Sequence, residues 1–263
     1  MPQLAIVLPT YNEAQNLGPL VRGLENLGLD FQLLIVDDNS SDGTRELAGE
    51  LAETYKNITV IKRPGKSGLG SALRTGLTAA LATDAQYVVT MDADQSHDPL
   101  EVPRLLAGLT PGLKIGPTNE VDARPDLVQG SRYIAGGGIT GMTAFRRFSS
   151  HLANLIYHWC ARGPQECTNN FRVYSRRAAA LVVERSKGDH YEFVPEATLI
   201  ILAAGLNVAE VPTIFKCRVT GSSKLGAMQA IRGIAALFST TIQYKLAMGR
   251  FSRRPYEGGP PSS

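Results

Sequence analysis

A mostly parallel α/β sheet with helices on both faces is the fold class that this 263-residue sequence predicts. Three observations predict it. Short β-rich runs alternate with helical stretches through the first half of the chain. The first run, residues 4–8, is Leu-Ala-Ile-Val-Leu, wholly apolar as in a strand buried on both faces. Polar clusters then follow directly on the first, second and fourth runs, where ligands gather in such sheets.

The elements justify themselves in order. Pro9 stops the first strand, and Leu17, Leu20, Val21, Leu24 and Leu27 recur at helical spacing over 16–29. A second strand over 32–36 runs into Asp37-Asp38-Asn39-Ser40, and Asp42-Gly43-Thr44 opens a helix to about Thr54. A third strand covers 58–61, a helix of small residues 69–83, and a fourth strand 87–91 ends at Asp92. Asp98-Pro99 suits the N-cap and first position of a following helix. The second half is less regular. Residues 110–126 read as a Pro- and Gly-rich loop, 126–130 as a strand, and Gly136-Gly137-Gly138 as a flexible segment. Helices are expected over 145–159 and 176–185, with one or two amphipathic helices over 225–248 and a disordered tail from Pro255.

Composition removes several function classes. With 43% hydrophobic and 19% charged residues, 26 Gly and 15 Pro, the chain is neither collagenous, low-complexity nor a coiled coil. A formal net charge of +3 gives no field for a nucleic-acid partner. Three cysteines, Cys160, Cys167 and Cys217, are too few and scattered for a disulfide framework or a four-thiolate zinc site. We expect no secretory signal and no membrane-spanning helix, hence a soluble or peripheral protein.

The polar clusters carry the chemistry. Asp92 and Asp94, at i and i+2 just past a strand, can approach one divalent cation of the Mg²⁺ or Mn²⁺ kind. Asp37-Asp38 fits either a turn or the acidic residue that binds a ribose or base in doubly wound folds. No G-x-G-x-x-G follows the first strand, and in Lys66-Ser67-Gly68-Leu69-Gly70 the lysine precedes the glycines, against the Walker order. Arg132, Arg146, Arg147, Arg172, Arg218 and Lys224 would, as a set facing an acidic metal site, suit a phosphate-rich substrate.

Taken in order, Pro9-Thr10-Tyr11-Asn12-Glu13, Val36-Asp37-Asp38 through Thr44, Lys66 through Gly70, and Met91-Asp92-Ala93-Asp94 resemble family 2 glycosyltransferases of the GT-A fold. Gly130-Ser131-Arg132-Tyr133 and the stretch from Arg218 to Leu225 are similar to the polyprenol-phosphate (dolichol-phosphate) mannose synthases within it. The resemblance covers about residues 3 to 226 and implies a catalytic domain over 1–226, interfacial helices over 227–250 and a tail over 251–263.

That resemblance implies roles residue by residue. Pro9, Tyr11, Glu13, Val36 and Asp38 would line the nucleotide-sugar pocket, with Asp92, Ala93, Asp94, Arg218 and Lys224 at the diphosphate. Asp92, Asp94 and Ser96 would hold Mg²⁺ or Mn²⁺. Arg132, Arg146 and Ser150 would face the acceptor phosphate, and Asp94, Arg132 and Arg218 would carry catalysis. The implied reaction is inverting transfer of a hexose, mannose from GDP-mannose first, to a polyprenyl phosphate. A UDP-sugar donor, a soluble acceptor, or a non-catalytic nucleotide-sugar or lipid-phosphate binding partner are the alternatives. The implied setting is the cytoplasmic face of a membrane, touched directly or through a small membrane-anchoring subunit. The apolar positions Leu225, Met228, Ile231 and Ile234, followed by Lys245, Arg250, Arg253 and Arg254, fit an interfacial helix or one that completes the core. A lipid acceptor favours the interface.

The chain departs from the family pattern in the acceptor half. Glu166-Cys167-Thr168-Asn169-Asn170-Phe171-Arg172 stands where Asp-x-Thr-Ser-Gly-Phe-Arg is common, so Asn170 replaces a glycine. Gly221-Ser222-Ser223-Lys224 likewise lacks the glutamate of Gly-Glu-Ser-Lys. Glu196 matches a family glutamate with no evident role beyond supporting an arginine.

Overall fold

The computed structural model describes residues 3–109, 124–142, 150–152, 154–155, 157–158 and 163–217. The expected elements at 227–250 and 251–263, and the side chains of Arg146, Arg218 and Lys224, lie outside the described residues. Seven strands form the main sheet: β1 (Leu4–Thr10), β2 (Phe31–Asp37), β3 (Ile58–Lys62), β4 (Tyr87–Thr90), β5 (Leu127–Ser131), β7 (Arg172–Ser175) and β8 (Val208–Pro212). Their order is β3-β2-β1-β4-β7-β5-β8. All pairs are parallel except those of β7, which runs against both β4 and β5. β6 (Gly138–Thr140) and β9 (Ile214–Lys216) form a separate parallel pair.

β1 shows why the sheet is buried on both sides. Leu4, Ile6 and Leu8 point into one core, with Leu17, Leu20, Val21 and Leu24 of α1 (Ala14–Glu25), Ala48 and Leu51 of α2 (Thr44–Thr54), and Val102 and Leu105 of α4 (Val102–Ala107). Ala5 and Val7 point into the other. There they meet Ala72, Leu73 and Leu77 of α3 (Leu69–Leu81), Leu181 and Val182 of α5 (Arg176–Arg185), and Phe193 and Ala197 of α6 (Phe193–Ala203). The alternation along one strand thus fills two cores, each buried Leu or Val contributing about 1.5–3 kcal/mol. α3 is rich in small residues because it lies close: a Cβ on Gly76 would sit 2.2 Å from Val7 Cγ1.

Several boundaries shift from expectation. α1 ends at Glu25, four residues early, and Gly28 takes a left-handed φ of 64° in the turn that follows. Gly138 belongs to a strand, β6, paired with Ile214 of β9. Ser175 caps α5, its side chain accepting from Ala178 N at 3.2 Å, and Asp98 accepts from Leu100 N ahead of Pro99 as the sequence predicts. Among the described residues, no helix is long and apolar enough to cross a membrane.

Candidate active site

The chain leaves β1 for β2 on one side and returns through β4 on the other, so β1 and β4 bound a topological switch point. Register aligns the strand ends: Thr10 faces Asp37, and Met91 N donates to Val7 O at 3.3 Å. The three polar clusters therefore meet at one sheet edge. Each contains a non-glycine residue with positive φ: Asn12 at 57°, Asn39 at 60° and Gln95 at 62°. Left-handed backbone is uncommon for non-glycine residues and concentrates at functional sites, because tight turns there must aim particular groups.

The first two clusters interlock. Asn12 N donates to Ser40 Oγ at 3.0 Å, and Ser41 N donates back to Asn12 Oδ1 at 2.9 Å. Glu13 N donates to Thr44 Oγ1 at 2.8 Å, while the Glu13 carboxylate accepts from Asn16 Nδ2 at 2.7 Å. Asp37 is wholly buried and binds Ser40 Oγ and Arg45 Nε, so it holds the turn together. Asp38 pairs with Arg63, whose other nitrogen donates to Ser71 Oγ at 2.6 Å. Burial pushes the Asp38 carboxyl above its ordinary value, and Arg63 offsets this only in part. Tyr11 offers its ring to Lys66, with Nζ 3.9 Å from the centroid. The side chain of Val36 is fully buried in the core beside α3, near where a Cβ on Gly76 would lie.

The third cluster is the turn Asp92 to Ser96. His97 Nδ1 accepts from Asp92 N at 3.0 Å, so the ring carries its proton on Nε2 and donates to Asn169 Oδ1 at 2.7 Å. The imidazole is buried, stacked 5.1 Å from Phe171, and thereby fixes the turn. Asp94 Oδ1 accepts from Ser96 N at 3.0 Å. Asp92 Oδ1 accepts from Asn170 Nδ2 at 3.0 Å. Two buried oxygens beside these carboxylates, Ser96 Oγ and Asn170 Oδ1, find no hydrogen-bond partner. Buried polar atoms are normally paired, and a bound group or water would satisfy these two. Among the described residues, no group of three or more His, Cys, Asp and Glu gathers for a metal. Two carboxylates and a hydroxyl suit a hard cation that completes its shell with substrate phosphates and water, as Mg²⁺ and Mn²⁺ do. The residues present fit the cation that the sequence led us to expect.

The acceptor-side residues form a second, denser network. Arg132, immediately after β5, donates to Glu166 through Nε at 2.7 Å and Nη2 at 2.8 Å, and Nη2 reaches Thr168 Oγ1 at 2.6 Å. The Tyr133 and Phe215 rings flank this guanidinium, each centroid 5.3 Å away. Burial, the largest single influence, would raise the Glu166 carboxyl, but the Arg132 charge and the hydrogen bonds from Arg132 and Thr168 together hold the group below its ordinary value. Glu210 accepts from Gln165 N and Glu166 N at 2.8 and 2.9 Å. Arg172, fully buried, donates to the carbonyls of Asn169, Val194 and Cys167. Tyr133 OH donates to Ser150 Oγ at 2.8 Å, which joins Ser150 to the Arg132 network. Cys167 is buried, and burial pushes its thiol well up, so it is a packed side chain rather than a nucleophile.

Two braces were not foreseen. Glu196 accepts from Lys187 N and Gly188 N, and Arg74 donates to Ser186 O and Gly188 O. Glu196 thus supports a backbone loop. β9 is tied to the Asp92–Ser96 turn: Lys216 N donates to Ser96 O at 3.1 Å and Lys216 Nζ to Asp98 at 2.9 Å. Glu166, His97 and Asn170 act through partners distant in sequence, and the departing Glu166–Arg172 motif signalled two of them but not His97.

The profile of "Glycosyl transferase family 2" matches residues 5–181. The polyprenol monophosphomannose synthase of Mycolicibacterium smegmatis is 35% identical over 84% of this chain and 80% of its own length. The dolichol-phosphate mannosyltransferase of Pyrococcus furiosus is 30% identical over 85% of this chain, which spans only 59% of that relative. Among solved structures, glucosyl-3-phosphoglycerate synthase from Mycobacterium tuberculosis, crystallised with Mn²⁺, UDP and glucosyl-3-phosphoglycerate, superposes with a TM-score of 0.59 at 19% identity. That match covers 91% of this chain and 80% of the other, and it shows the shared GT-A fold.

Proposed function

We propose, from the premise that the chain belongs to glycosyl transferase family 2 and is a glycosyltransferase, that it moves mannose from GDP-mannose to a polyprenyl phosphate. The observation that carries this reading is the Asp92–Ser96 turn, set at the switch point beside the Arg132–Ser150 network. The names of the two relatives, a polyprenol monophosphomannose synthase and a dolichol-phosphate mannosyltransferase, support the acceptor and the sugar.

The chemistry follows from charge. An acceptor phosphate is anionic at neutral pH, so one of its oxygens attacks the anomeric carbon without a strong general base. The bond to the departing diphosphate oxygen breaks on the opposite face, and the configuration inverts. The barrier then rests on stabilising the leaving nucleoside diphosphate, which preorganised positive charge does best in a water-poor site. A divalent cation held by Asp92, Asp94 and Ser96 would supply part of that charge when bound. Pro9, Tyr11, Glu13 and Asp38 hold the nucleotide, with Lys66 above the Tyr11 ring. Arg132 and Ser150 orient the acceptor phosphate together with Arg146, and Arg218 and Lys224 close on the diphosphate. Residues 1–226 form the catalytic domain, and 227–250 lie at a membrane surface on the cytoplasmic side, where a lipid acceptor is reached.

The test uses labelled GDP-mannose, Mn²⁺ and two acceptors, a short polyprenyl phosphate and 3-phosphoglycerate. Label extracted into organic solvent, and lost on adding chelator, is the expected result. Label confined to a water-soluble glycoside of phosphoglycerate would replace the lipid acceptor with a soluble one.

A further inference from the structure

β7 pairs antiparallel with β4, and the register sets Thr90 opposite Arg172. Two residues beyond the end of each strand, Asp92 and Asn170 therefore stand across from one another. Thr90 Oγ1 donates to Asn170 O at 2.8 Å and fixes the backbone there. The side chain closes the gap, with Nδ2 donating to Asp92 Oδ1 at 3.0 Å. An ionised carboxylate can only accept, so the amide orientation is set by chemistry. The carbonyl oxygen Oδ1 is left without a partner although the residue is only 3% exposed. Asn170 has ordinary backbone, so no left-handed φ calls for the glycine that the motif resembled would place here.

We propose that Asn170 is a positioning residue for the cation site: it holds one oxygen of Asp92 so that the other faces the divalent cation. The inference rests on the cation reading of Asp92 and Asp94 given above. It also gives the Glu166–Arg172 departure a function. The acceptor-side segment, through one amide, sets the carboxylate on the donor side. Hydrogen-bond partners of metal-ligating groups commonly change metal affinity about 10- to 100-fold when removed, because the ligand loses its orientation.

The experiment is a Mn²⁺ titration of the full chain followed by the free-ion signal in electron paramagnetic resonance, without and with GDP. Wild type is compared with Asn170→Ala, Asn170→Gly and Asp92→Asn, and each is melted without metal. The expected result is Mn²⁺ binding weakened roughly tenfold or more in both Asn170 variants, at an unchanged metal-free melting temperature. A merely structural role would move the melting temperature and leave affinity alone. Wild-type affinity in both Asn170 variants, with affinity lost in Asp92→Asn, overturns the proposal and leaves the cation reading standing. Wild-type affinity in Asp92→Asn, or no Mn²⁺ uptake by wild type in either condition, overturns the cation reading and the proposal with it.

Discussion

Arg132 and Glu166, both buried, are joined by two parallel hydrogen bonds of 2.7 and 2.8 Å. Glu166 Oε1 also accepts from Thr168 N at 2.9 Å and Asn169 N at 3.1 Å, so this one carboxylate folds the loop that leads to Asn170. Arg132 is thus held in place before any acceptor arrives. Its proposed contact with an acceptor phosphate would be made by a guanidinium already oriented and flanked by Tyr133 and Phe215.

Glu166→Ala leaves a buried guanidinium without its counter-charge. Breaking a buried pair in this way costs about 3–5 kcal/mol, and urea unfolding should show a loss of that size. A wild-type unfolding midpoint would contradict the pairing. Arg132→Ala should lose similar stability and also raise the KM for acceptor, whereas unchanged acceptor kinetics would remove Arg132 from the site.

The same pair predicts an acid limb. Glu166 titrates below its ordinary value of 4.5 in the folded chain, since the Arg132 charge and the hydrogen bonds from Arg132 and Thr168 together outweigh burial. In that window the folded state binds fewer protons than the unfolded, so stability rises with pH and is lost as pH falls through the folded pKa. Glu210, raised by burial, works in the opposite sense above its ordinary 4.5. Unfolding free energy measured against pH should fall less steeply below 4.5 in Glu166→Gln than in wild type. Parallel acid limbs would refute the assignment.

Asp94→Asn should lower kcat by about 10²-fold or more, the scale for losing one preorganised electrostatic contact. The fold should persist, because Asp94 is only partly buried and an asparagine Oδ1 can still accept from Ser96 N. Circular dichroism and transfer assays decide it. Turnover at the wild-type rate with metal present would remove Asp94 from the cation site.

Gly68 has a φ of 101°, and a Cβ there would lie 2.2 Å from Asp189 O. Gly68→Ala should destabilise by more than about 1 kcal/mol and displace Lys66 from Tyr11. The second effect is read as a raised KM for donor at unchanged acceptor KM. A variant with wild-type melting and donor KM would show that the loop gives way freely.

The elements that sequence reasoning found, and those it missed, divide on physical grounds. β1, β2 and β4 are legible because strands buried on both faces are nearly pure apolar runs, as 4–8 is. β7 escapes because it is four residues long and opens on Arg172, and only tertiary structure supplies the carbonyls that let this charge be buried. α6 escapes because Phe193 through Ile201 are buried all round, which erases the amphipathic period. In the site, Asp92 and Asp94 announce themselves by following a strand. The partners that hold them, His97 and Asn170, depend on register between β4 and β7, which no local pattern encodes.

The central claim, mannose transfer from GDP-mannose to a polyprenyl phosphate, is tested most directly by a donor panel. GDP-mannose, UDP-glucose and UDP-N-acetylglucosamine are each offered with a short polyprenyl phosphate and Mn²⁺, and the glycolipid formed is quantified. The account predicts product from GDP-mannose, abolished by chelator. Product from a UDP-sugar alone, or no lipid product from any donor, would contradict it.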